Sequence, residues 1–148
     1  MRCEDLMKTD VQFLQEGQTV QEAARKMRDH NVGFLPVVDS AAVVKGTLTD
    51  RDITVRVTAD ARPPDRLAVE AVMSREVIAC GPEDDIATAE QLMVQFQKSR
   101  VLVTDESNHL RGVISLSDIA KHDTQHRSSV TLRHIADREA RPGGSSAR

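Results

Sequence analysis

Apolar positions along the chain alternate between a helical and a strand period, and they do so twice. Val20, Ala23, Ala24 and Met27 fall at i, i+3, i+4 and i+7, behind a Thr19/Glu22 pair with the spacing of a capping box. This predicts an amphipathic helix. Ile86, Ala89, Met93 and Phe96 repeat the stripe after Asp85. Beyond each helix stand two β-rich runs, 34–39 and 43–48 in one case and 100–105 and 110–115 in the other, each pair reading as a hairpin. A short apolar stretch before each helix, at 11–14 and 77–79, is predicted as a strand. A second, short helix opens at Thr49 with Ile53 and Val57 on its inner side, and again at Ser115 with Ile119 inward. The order is β-α-β-β-α, then the same again.

The two halves superimpose in sequence without a gap at an offset of 66 residues, from about residues 6–53 onto 72–119. Met7 falls on Met73, Ala23 on Ala89, Met27 on Met93, Val37 on Val103, Asp39 on Asp105, Gly46 on Gly112, Asp52 on Asp118 and Ile53 on Ile119. Matches in element-sized blocks at one offset are the mark of duplication. The expected organisation is repeat 1 over 1–57, a linker over 58–70 containing Pro63 and Pro64, repeat 2 over 71–122, and a tail over 123–148. In the tail, Leu132, Ile135 and Ala136 suit one amphipathic segment after Ser129, and the last seven residues, PGGSSAR, are expected to be disordered.

Composition narrows the function. A chain of 148 residues with three Phe and no Trp or Tyr must pack an aliphatic core. The net charge is −3, and the acidic excess lies before residue 121, where 14 Lys/Arg stand against 20 Asp/Glu. Duplex binding needs a clustered basic face, so nucleic acid is not the expected partner. Cys3 and Cys80 are too few for a secreted disulfide framework, and no apolar run approaches a membrane span. The chain is therefore expected to be cytoplasmic, with no membrane partner.

Candidate chemistry lies in two copies of one motif, GTLTDRDI at 46–53 and GVISLSDI at 112–119. A hydroxyl residue at a strand end, opening a helix, stands beside unpaired backbone N–H groups that favour phosphate; Thr49 and Ser115 are so placed. Three residues later, Asp52 and Asp118 offer carboxylates able to accept both hydroxyls of a ribose. The alternative is that Thr49 with Asp52, and Ser115 with Asp118, only cap their helices. Arg51 either pairs with a phosphate or with Asp50 at the surface; Ser117 replaces it in the second copy. Arg100, Lys98, Lys121 and His122 are further sources of positive charge near the second copy.

Repeat length, element order and both motifs resemble the cystathionine β-synthase (CBS) domain family over about residues 3–122. The resemblance implies an α/β (α+β) fold of two tandem CBS repeats, a stand-alone Bateman module with pseudo-two-fold symmetry and clefts between the repeats. It implies a regulatory adenosyl ligand (AMP, ADP, ATP, NAD or S-adenosylmethionine) rather than a required cofactor, pairing into a homodimer, and an unidentified regulated protein acted on in trans. It places adenine against the strands carrying Leu35, Pro36 and Val37, and Val101 and Val103. Two departures bear on this: Leu102 stands where the first copy has Pro36, and bulky Phe34 stands where a small residue is usual, so the two clefts are expected to be unequal. No nucleophile, base and orienter set stands out, and the chain is expected not to be an enzyme. The rival readings are a ligand-free interaction scaffold, with Phe34 and Leu102 closing the clefts, and a metal-linked stress protein using Cys3 or Cys80 with histidines.

Overall fold

The structure, a computed structural model, describes residues 1–122 and Arg133. The helical segment expected at Leu132, Ile135 and Ala136 and the disorder expected of the last seven residues lie outside the described residues. In chain order the elements are α1 (Cys3–Leu6), β1 (Leu14–Gln15), α2 (Val20–His30), β2 (Phe34–Val38), β3 (Val44–Thr49), α3 (Asp50–Ile53), β4 (Ala79–Cys80), α4 (Ile86–Phe96), β5 (Arg100–Thr104), β6 (Leu110–Ser115) and α5 (Leu116–His122). Both predicted hairpins and both predicted long helices form.

The described chain divides into two compact units, Gln12–Val77 and Met1–Val11 with residues 78–122. Each has a three-stranded sheet, with β1 parallel to β2 and β2 antiparallel to β3 in one, and β4, β5 and β6 arranged likewise in the other. Leu14, Val20, Ala23, Met27, Leu35, Val37 and Leu48 fill the first core, and Ile86, Ala89, Met93, Val101, Val103, Ile114 and Ile119 fill the second. Val20, Ala23 and Met27 of the first predicted stripe and Ile86, Ala89 and Met93 of the second thus pack inward, while Ala24, expected on the same face, is exposed and Phe96 is half-buried.

Duplication extends to the backbone. The αL caps of α2 and α4, Asn31 (φ 52°) and Gln97 (φ 55°), are 66 residues apart, as are the hairpin residues Ala42 and Asn108 (both φ 63°). Each hairpin loop is held by the carboxylate that precedes it: Asp39 Oδ1 accepts from Ala41 and Val43 N–H, and Asp105 Oδ1 from Ser107 and His109 N–H. This Asx-type bracing fixes the turn without a glycine.

Three local expectations change. The first strands begin later than predicted, at Leu14 and Ala79, because the ladder starts only where the chain meets the free edge of β2 or β5. The short helix after Thr49 continues as a π-helical turn, Thr54–Thr58, where β-branched residues crowd the α-helical register. The stretch expected as a linker is partly docked: Val20 N–H donates to Leu67 O at 2.8 Å, Val69 N–H donates to Gln18 O at 2.9 Å, and Val69 is fully buried. The compact units also exchange segments relative to the sequence repeats, since Met1–Val11 packs with repeat 2 and 58–77 with repeat 1.

Candidate functional site

Both motifs run from the end of a strand into a short helix, and both carboxylates turn back onto the hydroxyl residue that opens it. Asp52 Oδ2 accepts from Thr49 N–H at 2.9 Å, while Asp52 N–H donates to Thr49 Oγ1 at 3.1 Å. Asp118 Oδ2 accepts from Ser115 N–H at 2.9 Å and from the Ser115 hydroxyl at 2.6 Å, and Asp118 N–H donates to Ser115 Oγ at 3.2 Å. The capping alternative therefore holds at both places. It occupies one oxygen of each carboxylate. The other oxygen, Oδ1, meets a cation: Lys8 Nζ lies 3.1 Å from Asp118, and an Arg56 guanidinium nitrogen lies 3.8 Å from Asp52.

The two cations come from different places. Lys8 is supplied by the amino-terminal segment, whose 66-residue equivalent is Ser74; Arg56 is supplied by the π-helical turn, and its equivalent is His122. They also differ in restraint. Arg56 donates to Val72 O at 2.7 Å, whereas the Lys8 side chain is 62% exposed and, among the described residues, is held by its ion pair with Asp118. For Asp118, burial pushes the carboxyl up, but hydrogen bonds from the Ser115 hydroxyl and N–H, with the Lys8 ammonium, outweigh it and hold it below the usual range. The cation beside Asp52 is thus Arg56 and not Arg51, which is exposed and whose N–H donates to Asp50 Oδ1.

The glycine that opens each motif admits a crossing strand of chain. A Cβ on Gly112 would lie 2.8 Å from Lys8 O, and one on Gly46 would lie 2.6 Å from Ser74 O. Across these contacts Lys8 and Val113 exchange two backbone hydrogen bonds, as do Ser74 and Thr47. In the sequence these glycines stand out only as part of the repeated motif, with nothing local to mark the segments they receive. Met7 and Met73, matched at the repeat offset, were the available signal: their sulfurs sit 2.8 Å and 2.7 Å from the same Cβ positions.

The sheet register puts Arg100 opposite Ser115 and Phe34 opposite Thr49. Arg100 lines a cavity of about 390 Å³ with Ser99, Ser115, Leu116, Ser117 and Ala120. Its exposed lining is mainly apolar, with Arg100 and three serines at its border. Lys98, Lys121 and His122 are exposed and do not line it. Leu35, Val37, Val101 and Val103 have no exposed surface and belong to the cores of their own units, so their side chains are committed to packing. Pro36 and Leu102 are also buried, outside those core clusters. A larger, polar hollow of about 530 Å³ along Phe13, Gln15, Gly17, Glu22 and Lys26 touches no motif residue.

Among the described residues, no group of three or more His, Cys, Asp or Glu side chains gathers as a metal site. Cys3 and Cys80 do meet each other, both buried, with sulfurs 3.5 Å apart. Among the described residues no helix is long and apolar enough to cross a membrane.

Comparison with known proteins agrees with this anatomy. The CBS domain family model matches residues 3–58 and again 69–124. The CBS domain-containing protein YhcV of Bacillus subtilis is 42% identical over 125 residues, covering 84% of this chain and 87% of that protein. A crystal structure of Hypoxic Response Protein I with two coordinated zinc ions is 28% identical, with a TM-score of 0.76, covering 84% of this chain and all of that one. The CBS domain pair of protein MJ0100, solved in complex with 5-methylthioadenosine and S-adenosyl-L-methionine, has a TM-score of 0.70 at 24% identity, covering 82% of this chain and 94% of that one.

Proposed function

The chain belongs to the CBS-domain family as a tandem pair of CBS repeats, and from that premise we propose that it is a sensor which binds an adenosyl ligand at the start of α5. The observation that carries the reading is the 390 Å³ cavity beside the second motif, where Ser99, Ser115 and Ser117 stand with Arg100. The exposed lining of this cavity is mainly apolar, which suits the face of an adenine ring, and Arg100 at its border offers a planar fork of N–H groups to a phosphate; the Ser115 hydroxyl already donates to Asp118 Oδ2 and lies 2.8 Å from Ser117 Oγ. Asp118 supplies the acceptor for ribose. Asp118 is buried and adjoins the cavity through Ser115 rather than lining it; among the described residues its Oδ1 meets the largely exposed Lys8, so a ribose diol takes that oxygen by displacing a solvated ammonium rather than by breaking the cap. An adenosyl class is supported by the MJ0100 pair, which shares the fold and holds two such molecules.

At the first motif the same exchange costs more. Arg56 is anchored on Val72 O, and Phe34 stands in the register position that Arg100 holds in the second. We therefore assign ligand binding chiefly to the second motif, with Thr49, Arg51 and Asp52 as the weaker site. Displacing Lys8 loosens the amino-terminal segment that crosses Gly112, and this is the change offered to a regulated protein in trans. A homodimer in the cytoplasm is the setting we propose for that exchange.

Isothermal titration with AMP, ADP, ATP, NAD and S-adenosylmethionine tests the reading. One or more should bind below millimolar, and Asp118→Ala and Arg100→Ala should each weaken binding at least about tenfold, whereas Asp52→Ala should weaken it less. No binding by any of the five overturns it. In that event the scaffold reading stands, favoured by the capping boxes that already satisfy both carboxylates.

A further inference from the structure

The most unusual side-chain pairing outside the motifs is between the two cysteines. They are 77 residues apart in sequence, one on α1 of the amino-terminal segment and one on β4, and the Cys80 thiol donates to Cys3 Sγ across 3.5 Å. Both lie in the core cluster with Ile86, Ala89, Met93 and Val103. Each is held in place by a further contact, Cys3 Sγ to Asp85 O and Cys80 Sγ to Leu102 O, both at 3.7 Å. The backbone around Cys3 is fixed as well: Cys3 N–H donates to Asp84 O at 2.8 Å, Glu4 N–H to Pro82 O at 2.9 Å, and Ile86 N–H to Met1 O at 3.0 Å.

We propose that Cys3 and Cys80 form a redox latch, a thiol pair that a hydroperoxide closes to a reversible disulfide, fixing the amino-terminal segment to the second compact unit. Geometry is the ground for this. The sulfurs are in van der Waals contact and lie on segments that the backbone already holds together, so closure asks for side-chain rotation over a small distance. Two buried thiols with no metal-binding partner gathered around them, among the described residues, have only each other to react with. The oxidant must be small, because Cys3 has no exposed surface and Cys80 about 5%; hydrogen peroxide meets that requirement.

The chemistry balances. The Cys3 thiolate attacks one peroxide oxygen, the S–O bond forms as the O–O bond breaks, and the departing hydroxide leaves as water with the proton Cys3 gave up. Cys80 sulfur then attacks Cys3 sulfur, the S–S bond forms as the S–O bond breaks, and the Cys80 proton leaves with the hydroxyl as a second water. Two thiols lose two electrons and one peroxide is reduced to two waters. Cys3 is the first nucleophile, since the Cys80 S–H bond toward it lowers its pKa against the opposing effect of burial, while the same bond raises that of Cys80.

The latch has a consequence for the site above. Lys8, five residues beyond Cys3, crosses Gly112 and reaches Asp118, so a covalent anchor at Cys3 restrains the segment whose release the ligand requires. That coupling is separate from the latch itself, which the following experiment tests without any ligand.

The full chain, folded, is treated with a few equivalents of hydrogen peroxide, then unfolded in the presence of an alkylating agent and weighed intact. The expected result is a monomer lighter by two hydrogens, unalkylated at both cysteines, and restored to two alkylated thiols by dithiothreitol. Closing so long a loop should also raise the thermal midpoint of the oxidised chain by on the order of 10 °C over the reduced chain. Cys3→Ser and Cys80→Ser should each abolish both effects; Cys3→Ala and Cys80→Ala replace them if a buried hydroxyl prevents folding. Two alkylatable thiols after oxidation, addition of oxygen in place of hydrogen loss, a cross-link only between chains, or an unchanged midpoint would each overturn the proposal.

Discussion

Replacing Gly112 by Ala tests the claim that the motif glycine exists to receive the amino-terminal segment. The added Cβ would stand 2.8 Å from Lys8 O, where a carbon normally approaches a carbonyl oxygen to about 3.4 Å, so the segment must retreat by roughly 0.6 Å. Met7 sulfur, also at 2.8 Å, can swing aside; the backbone oxygen cannot. The retreat stretches the two hydrogen bonds exchanged by Lys8 and Val113, now 2.9 Å and 3.0 Å, toward the limit of useful geometry. If both are lost the cost is about 1 kcal/mol each, and if the segment stays the overpacking costs about 1–3 kcal/mol. Removing a glycine from the unfolded chain returns about 0.4–1 kcal/mol. The net expectation is a loss of about 1–2 kcal/mol in urea-induced unfolding, with faster hydrogen exchange at the Lys8 and Val113 amides. Gly17→Ala, at a φ of 91° but with open space around it, should cost stability through backbone strain and leave those two amides unchanged. A Gly112→Ala protein as stable as the original, with both amides still protected, would refute the reasoning.

Asp118 is held below the usual carboxyl range in the folded chain, so its contribution to stability is present above the ordinary value near 3.8 and is lost as pH falls through the lowered folded value. Acid titration of unfolding free energy should therefore show a decline below pH 4 that is shallower in Asp118→Asn. Ala42 carries a φ of 63° in a hairpin loop, and Ala42→Gly should stabilise the chain by about 1 kcal/mol in denaturant titration; destabilisation would contradict the αL assignment. Arg56→Ala should cost more than Lys8→Ala, about 2 kcal/mol against about 1, because Arg56 also donates to Val72 O, whereas the carboxylates that lose a cation, Asp52 and Asp118, are both buried and both stay capped. Equal losses in parallel melts would remove the distinction between a cation also anchored on the backbone and one that is largely solvated.

What was legible in the sequence was what duplication and periodicity encode. The 66-residue offset, the stripes of α2 and α4 and the alternation of the hairpins all describe packing within one repeat, and a gapless repeat states its own element order. The capping function of Thr49 with Asp52 and of Ser115 with Asp118 was readable because it depends on neighbours three residues apart. Contacts set by the tertiary path were not. Lys8 reaches Asp118 across 110 positions, and Cys3 meets Cys80 across 77, because the amino-terminal segment packs with repeat 2. Arg56 as the cation beside Asp52 was not legible either, because it lies on a π-helical turn, which has no simple sequence signature. The strand residues Val101 and Val103, which the family resemblance places against adenine, have no exposed surface, a burial set by packing that the resemblance does not encode.

Amide chemical-shift mapping by NMR, during titration with the tightest-binding adenosine compound of the calorimetric panel, tests the central claim most directly. The account predicts saturable shifts concentrated at Ser99, Arg100 and 115–118, with Lys8 shifting in step as it leaves Asp118, and smaller shifts at 49–52. Shifts confined to other surfaces, or none at saturating ligand, would contradict it.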